Sequence, residues 1–334
     1  MSGFVLGVDG GGTKTHALAL DLDGRCVGFG SASCGSHDYS GLEPACAEVT
    51  RAIDEARSEA GLAGKLARVA CMGLSGADFP DDFEMLHNRY SNLGFAEDVV
   101  ILNDSIPAFR AGSSRPYGVV VVLGSGANCA GVGKDGREER YISQGYLFGD
   151  WGSGNWIGTE VLHSVYRAWT GRGRQTALTE LVKRRFEEED LYELAWKITR
   201  RQIPSSEIRM LTPLVFEAAC EGDEVARGIV RRVGTEAGIS ASEMMERVGL
   251  LDAEIDVVLA GSVFNGQGSL LLDTVRRLVR AANPRAGVVR PEFEPVVGAG
   301  LLALERAGVR VGPEVMGRLE ESLPCSLSAQ KASR

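Results

Sequence analysis

The sequence predicts an α/β protein built from two copies of one mixed-sheet unit, and three observations carry that expectation. A short apolar run, Phe4 to Val8, breaks into the turn Asp9-Gly10-Gly11-Gly12-Thr13, resumes as Lys14 to Leu20 and turns again at Asp23-Gly24-Arg25. The same order recurs from Gly118 to Leu123, through Gly124-Ser125-Gly126-Ala127-Asn128, to Cys129–Val132 and the turn Asp135-Gly136-Arg137. A strand, a glycine turn, a strand and an Asp-Gly turn, replayed in that order, describe a duplicated supersecondary unit. Helical patterns then alternate with further short apolar runs, so that hairpin strands are followed by crossover connections and the sheets are mixed and covered on both faces.

Taken in order, Phe4 to Leu20 and Cys26 to Gly30 predict an antiparallel meander of three strands. From Leu42 to Ala60 the period changes: Val49, Ile53, Ala56 and Ala60 fall on one helical face. Arg68 to Leu74 and Val99 to Leu102 read as buried strands. The first region is therefore strand, strand, strand, helix, strand, helix, strand. After the second hairpin, helical patterns fill Thr159 to Gly249; Asp256 to Ala260 is a strand that runs into Gly261-Ser262 and then a helix with Leu271, Val275, Leu278 and Ala282 on one face.

At 334 residues the chain exceeds what one hydrophobic core serves, so two domains are expected. The polar Gly/Ser/Pro stretch 111–116 marks their boundary, giving domains 1–113 and 114–312 and a loosely ordered tail, 313–334. With 44% hydrophobic and 24% charged residues the composition is that of a globular protein. A formal net charge of −9 makes nucleic acid an unexpected partner. The acidic run Glu187 to Asp190 follows Lys183, Arg184 and Arg185 and reads as a solvated helix face. Seven cysteines contain no C-x-x-C pair, and no ligand spacing links the four histidines, so neither a disulfide framework nor a zinc site is expected. The amino terminus has no basic n-region, and no apolar run reaches the roughly 18 residues of a membrane span. A cytoplasmic protein with no membrane partner follows as an expectation.

The first glycine turn is the main candidate for chemistry. Gly10, Gly11 and Gly12 let the backbone approach a ligand closely and allow successive N–H groups to converge on an anion. Thr13 adds a hydroxyl donor, and Asp9 at the strand end could hold a hydrated Mg²⁺ that faces the phosphates. A glycine hairpin without a ligand is the plainer alternative. No P-loop pattern occurs, and a strand follows where a Rossmann fingerprint would need a helix. The second turn, with Gly124, Ser125 and Gly126, gains weight only as the partner of the first. Asn103 and Asp104 close the strand Val99 to Leu102, at the end where open α/β sheets bind ligands. Asp104 is either the base that takes a proton from an attacking hydroxyl or an Asp that caps the following helix. The segment Gly149 to Trp156, with Asp150, Asn155 and two indoles, suits a carbohydrate; core tryptophans pinning a glycine loop are its alternative. Gly261 and Ser262 lie where a backbone could meet a flat ligand such as adenine.

In this order the motifs resemble the N-acetylglucosamine kinase-like branch of the BadF/BadG/BcrA/BcrD ATPase family, within the actin, hexokinase and heat-shock chaperone superfamily. The resemblance extends from Phe4 to about Gly308. It implies duplicated actin-like ATPase domains, ribonuclease H-like, with an interdomain cleft that takes ATP and Mg²⁺. The run Asp9 to Thr15, including Lys14, is similar to the first phosphate motif and Gly124 to Asn128 to the second, with Gly261 and Ser262 beside the nucleotide. Asp104 resembles the catalytic base, and Ser75, Gly76, Asn103, Asn128 and Asp150 resemble residues that touch the sugar. Two positions depart from the pattern. Ser36, followed by His37, stands where relatives carry an Asn against the sugar, and the usual Gly-Asp-Glu-Gly-Ser reads Gly149-Asp150-Trp151-Gly152-Ser153. The implied activity is ATP-dependent phosphorylation of a sugar hydroxyl by a homodimer. N-acetylglucosamine leads as acceptor, with glucosamine, N-acetylmuramic acid and glucose behind it. Two other classes stay open: the ATPase that activates 2-hydroxyacyl-CoA dehydratases, which needs cysteine thiolates on an iron–sulfur cluster, and a catalytically silent sugar sensor.

Overall fold

The computed structural model describes residues 3–328. In chain order its elements begin with β1 (Phe4–Gly10), β2 (Thr15–Asp21), β3 (Cys26–Ala32), α1 (His37–Ser40), α2 (Leu42–Glu59), β4 (Ala67–Leu74), α3 (Pro80–Ser91), β5 (Ala96–Asn103) and α4 (Ser105–Gly112). There follow β6 (Gly118–Leu123), β7 (Ala127–Val132), β8 (Glu138–Arg140) and the helices α5 (Gly154–Trp169), α6 (Leu178–Phe186), α7 (Leu191–Thr199), α8 (Ser205–Arg209), α9 (Thr212–Cys220) and α10 (Glu224–Arg247). The chain continues with β9 (Asp256–Ala260), α11 (Leu270–Ala282), β10 (Gly287–Val289), α12 (Pro295–Arg306) and α13 (Pro313–Ser322).

The duplication seen in the sequence is present in the topology. One sheet has the order β3-β2-β1-β4-β5, with β1, β2 and β3 antiparallel and β1, β4 and β5 parallel. The other has the order β10-β9-β6-β7-β8, again with an antiparallel hairpin, β6–β7, and a parallel neighbour, β9. β1 and β6 occupy equivalent central places. Both read as unbroken apolar runs because both of their faces are covered. On β1, Leu6 and Val8 join α2 residues Val49, Ile53 and Ala56 in one core, whereas Val5 joins Leu18, Val296 and Leu301 in another. Contact on that second face is so close that a Cβ on Gly7 would stand 2.3 Å from the Gly300 backbone nitrogen of α12.

The chain divides otherwise than composition suggested. Among the described residues, 3–116 and 289–328 form one compact unit, and Tyr117–Val288 form the other. The stretch after 288 rejoins the first unit because α12 lies on β1 and α4; Arg110 Nη2 of α4 meets Glu305 Oε1 of α12 at 2.9 Å. No local composition shift marks that return. The expected loose tail is also corrected for its described part: α13 buries Val315 and Leu319, Leu327 is buried, and the Cys26 N–H donates to Ser322 Oγ at 2.9 Å. Residues 329–334 of that expected tail lie outside the described residues. The acidic run is a link between helices rather than a helix face. Glu187 takes a left-handed φ of 51° just past α6, and Asp190 caps α7 by accepting the Tyr192 N–H at 2.8 Å.

Candidate active site

In the first unit the parallel strands β1, β4 and β5 all end at one edge, and the candidate residues collect there. Gly10 O accepts the Ser75 N–H at 2.9 Å, and Gly11 O accepts the Gly35 N–H at 3.0 Å. These two bonds stitch the glycine loop to the segments carrying Ser75-Gly76 and Ser36-His37. The loop closes on itself through Gly11 N–H to Lys14 O at 3.0 Å, leaving Gly12, Thr13 and Lys14 exposed. Lys14 Nζ reaches Glu294 Oε2, just before α12, at 2.9 Å. Tyr39 is 68% exposed and its ring lies against Gly12, where an added Cβ would meet it at 3.0 Å.

Asp9 stands one residue before the end of β1 and is partly buried. Burial pushes its pKa up to about 7; Asp104 and Glu294 add to the rise, and Lys14 opposes it. Asp104 stands at the position preceding α4, yet its side chain makes no capping hydrogen bond. Its neighbour does that work: Asn103 Oδ1 accepts the Ser105 N–H at 3.1 Å and the Ser105 hydroxyl at 2.5 Å. The capping alternative for Asp104 is therefore the weaker one, and its charge acts on Asp9.

Three expected sugar contacts look different in three dimensions. Asn103 is 3% exposed and also donates to Ala77 O and Asp78 Oδ1, at 3.1 and 3.0 Å, so its amide is occupied by the fold. Ser36 is fully buried and its hydroxyl has no hydrogen-bond partner. The His37 imidazole is turned toward Asp38 and Asp82, with Nε2 at 3.5 and 3.6 Å from their Oδ1 atoms. Asn103 and Ser36 are thus buried within the fold, whereas His37 is partly exposed. Ser75 is partly exposed, and Gly76 is buried with a φ of 93° against the Asp38 carboxylate.

The second unit repeats the arrangement at the ends of β6 and β9. The hairpin closes through Gly124 N–H to Gly126 O at 2.9 Å, and Ser125 and Gly126 are exposed. Gly124 O accepts the Gly154 N–H at 2.8 Å, which pins the start of α5 to the hairpin. Ser153 caps that helix by accepting the Trp156 N–H at 3.2 Å. A helix amino terminus beside a glycine hairpin is a favourable place for an anion. Gly261 packs on the end of β6, where a Cβ would stand 2.3 Å from Leu123 O, and Ser262 is exposed beside it.

Asp150 and Asn128 line a cavity of about 230 Å³ within this unit, together with Phe148, Trp151, Glu236 and Ser240. Asp150 Oδ2 accepts the Gly145 N–H at 2.6 Å; burial raises its pKa and that bond lowers it. Of the two indoles expected to face a sugar, Trp151 lines this cavity and Trp156 does not. Trp156 is 2% exposed and stacks behind Trp151 with ring centres 6.5 Å apart. Cys129 also lines the cavity, but its thiol is buried and directed at Ser240 O, and burial pushes its pKa up, away from the thiolate that a cluster ligand needs. Tyr39, Glu294, Glu236 and Arg232 were invisible to sequence reasoning. Each sits far along the chain from the motif it touches, in no spacing that marks it.

A sheet of two antiparallel hairpin partners and parallel crossover strands, present twice with a glycine turn in each first hairpin, defines the duplicated actin-like α/β class. The chain belongs to the BadF/BadG/BcrA/BcrD ATPase family, whose model matches residues 6–303. It is 28% identical over 306 residues to the N-acetylmuramic acid/N-acetylglucosamine kinase of Clostridium acetobutylicum, covering 90% of this chain and 98% of that protein. It is also 28% identical over 312 residues to the N-acetyl-D-glucosamine kinase of Dictyostelium discoideum, covering 90% and 97%. Among solved structures, the ROK family glucokinase of Streptomyces griseus, in complex with glucose and AMPPNP, superposes with a TM-score of 0.56 at 18% identity. That superposition covers 91% of this chain and all of the other.

Proposed function

We propose that the protein transfers a phosphoryl group from ATP to a hydroxyl of a small sugar, with N-acetylglucosamine or a related amino sugar or hexose as acceptor. The observation that carries this reading is Asp104: a carboxylate at the carboxyl end of β5, beside Asp9 and not spent on capping α4. Phosphoryl transfer to an alcohol needs a proton acceptor at the nucleophile and fixed charge around the phosphates, and little else. Asp104 takes the proton. The exposed backbone of Gly12 and Thr13, with Lys14, and that of Ser125 and Gly126 donate to phosphate oxygens, while Gly261 and Ser262 lie beside the base. Ser75, Asn128 and Asp150 offer polar edges to the sugar.

The residues present fit Mg²⁺. Asp9 is a hard oxygen donor beside the glycine loop; burial most of all, then repulsion from Asp104 and Glu294, raises its pKa, and the repulsive part is what a cation relieves. Bound there, Mg²⁺ would neutralise charge on the triphosphate. The kinase names of the 28% identical relatives support the same reading. A cytoplasmic homodimer belongs to it as well, and light scattering at twice the 35.6 kDa chain mass is the expected result.

The deciding experiment is ADP release with ATP and Mg²⁺ across hexoses, amino sugars and their N-acetyl derivatives. Sugar-dependent ADP release that Asp104→Asn abolishes is expected. Sugar binding without ADP release would favour the silent sensor instead.

A further inference from the structure

The sheet of the first unit ends on β3, and an edge strand seven residues long presents a row of N–H groups that a further strand can take. The sheet of the second unit ends on β8 and β10, three residues each, which leaves little to pair with. Along β3 the outward N–H groups are taken by side chains instead. Phe29 N–H donates to Glu59 Oε2 at 2.7 Å, Ser31 N–H to Glu55 Oε2 at 2.9 Å, and the N–H of Ser33, one residue past the strand, to Glu48 Oε2 at 2.7 Å. At the start of the strand the Cys26 N–H donates to Ser322 Oγ of α13.

The fit of α2 to β3 makes this pattern regular. Glu48, Glu55 and Glu59 fall on one face of the helix. Four helical residues rise about 6 Å and two strand residues about 6.6 Å, so the step from Glu55 to Glu59 matches the step from Ser31 to Phe29. Ala52 and Ala56 keep the same step over the strand itself: a Cβ on Gly30 would stand 2.0 Å from Ala52 O, and one on Gly28 2.1 Å from Ala56 O. Glycine at those two places lets the helix lie close enough for its carboxylates to reach the outer edge. Glu48 is held in turn by Arg51, whose guanidinium, with the Ser33 N–H, keeps its pKa below the ordinary value. One such bond would be an incidental surface contact; three in register, from three acids of one helix face, form a cap.

We infer that Glu48, Glu55 and Glu59 close the β3 edge against a second copy of this chain. Its own copy is the partner that an uncapped β3 fits, because two antiparallel β3 strands related by a two-fold axis offer the same residues to each other and continue the sheet. While the caps are in place the donors of Phe29, Ser31 and Ser33 are occupied, and two copies approaching edge to edge would set six carboxylates against one another. The inference does not depend on the kinase reading, and by it a homodimer of the folded chain forms away from this edge.

The test uses the full chain, with amide hydrogen exchange and light scattering as readouts. In the unaltered protein the Phe29, Ser31 and Ser33 amides should exchange at least about 10²-fold more slowly than exposed amides. Glu55→Ala should speed Ser31 exchange by about tenfold, whereas Glu55→Gln, whose carboxamide oxygen still accepts, should leave it slow. Combining Glu48→Ala, Glu55→Ala and Glu59→Ala should raise the mass in solution by about twofold or more, increasing with concentration. Adding Ser31→Pro, which removes the central donor at an edge position that tolerates proline, should return that variant to the mass of the unaltered protein. Fast exchange of the three amides in the unaltered protein overturns the inference. So does a folded triple variant that keeps the parent mass, or association that Ser31→Pro does not reverse, which places the contact elsewhere. Should the triple variant not fold, Glu55→Ala with Glu59→Ala, which frees two adjacent donors, is read for the same mass change and its reversal.

Discussion

Asp104 raises the pKa of Asp9: the two carboxyls, 95 positions apart in sequence, are brought into electrostatic contact at the ends of β5 and β1. Parallel strands flanking a shared edge do this, because β1 and β5 both pair with β4 and end on the same side.

If Asp104 is the base, Asp104→Asn lowers kcat by on the order of 10² or more and leaves nucleotide binding nearly intact. Steady-state kinetics beside a nucleotide titration checks it. The side chain makes no cap to α4, and a melting curve measured beside the kinetics separates a lost base from a lost fold; an unchanged rate would remove Asp104 from the mechanism.

The Asp9 shift makes a statement about stability. Its folded pKa, about 7, lies above the ordinary value of 3.8, so the folded state holds an extra proton between those limits. Stability of the metal-free protein therefore falls as pH rises from about 4 to about 7, and the penalty is complete above that. Asp9→Asn should remove this slope and raise the melting temperature at pH 8 by about 4 °C, while abolishing activity. Melting curves at pH 5 and pH 8 would contradict this if the variant and the parent shifted in parallel.

The Lys14–Glu294 pair is half in solvent, with side chains 52% and 32% exposed. Breaking it with Glu294→Ala should cost less than about 1 kcal/mol in denaturant unfolding. Lys14→Met, by contrast, should raise KM for ATP by about tenfold if the ammonium meets phosphate.

Gly7→Ala should destabilise by about 3 kcal/mol, because the new methyl would meet the backbone of α12 at 2.3 Å and neither partner is a flexible side chain. A melting temperature within a degree of the parent would mean that α12 does not lie where described.

Ser36→Asn installs the residue that the family resemblance implies at this position. In the folded chain Ser36 has no exposure, so the larger amide must displace its surroundings or open the loop. A lowered melting temperature is expected first, and any change in sugar ranking should come with it.

Much of this molecule was legible before folding. The glycine turns at Asp9–Thr13 and Gly124–Asn128, each between apolar runs, marked both hairpins and hence the duplication, since only a strand turn needs that backbone freedom beside that burial. Position at a strand end made Asp104 a candidate base and left a helix cap equally open. What depended on tertiary structure was everything set by return of the chain. Gly300 of α12 packs on Gly7 of β1 from 293 positions away, Asn103 rather than Asp104 caps α4, and Ser36 and Trp156 are buried. Glu236 reaches the Asp150 cavity from the middle of an amphipathic helix on which it looks like any other surface acid. Local sequence determines dihedral preference and burial period; which side chain meets which is decided by packing at distances along the chain that no spacing rule encodes.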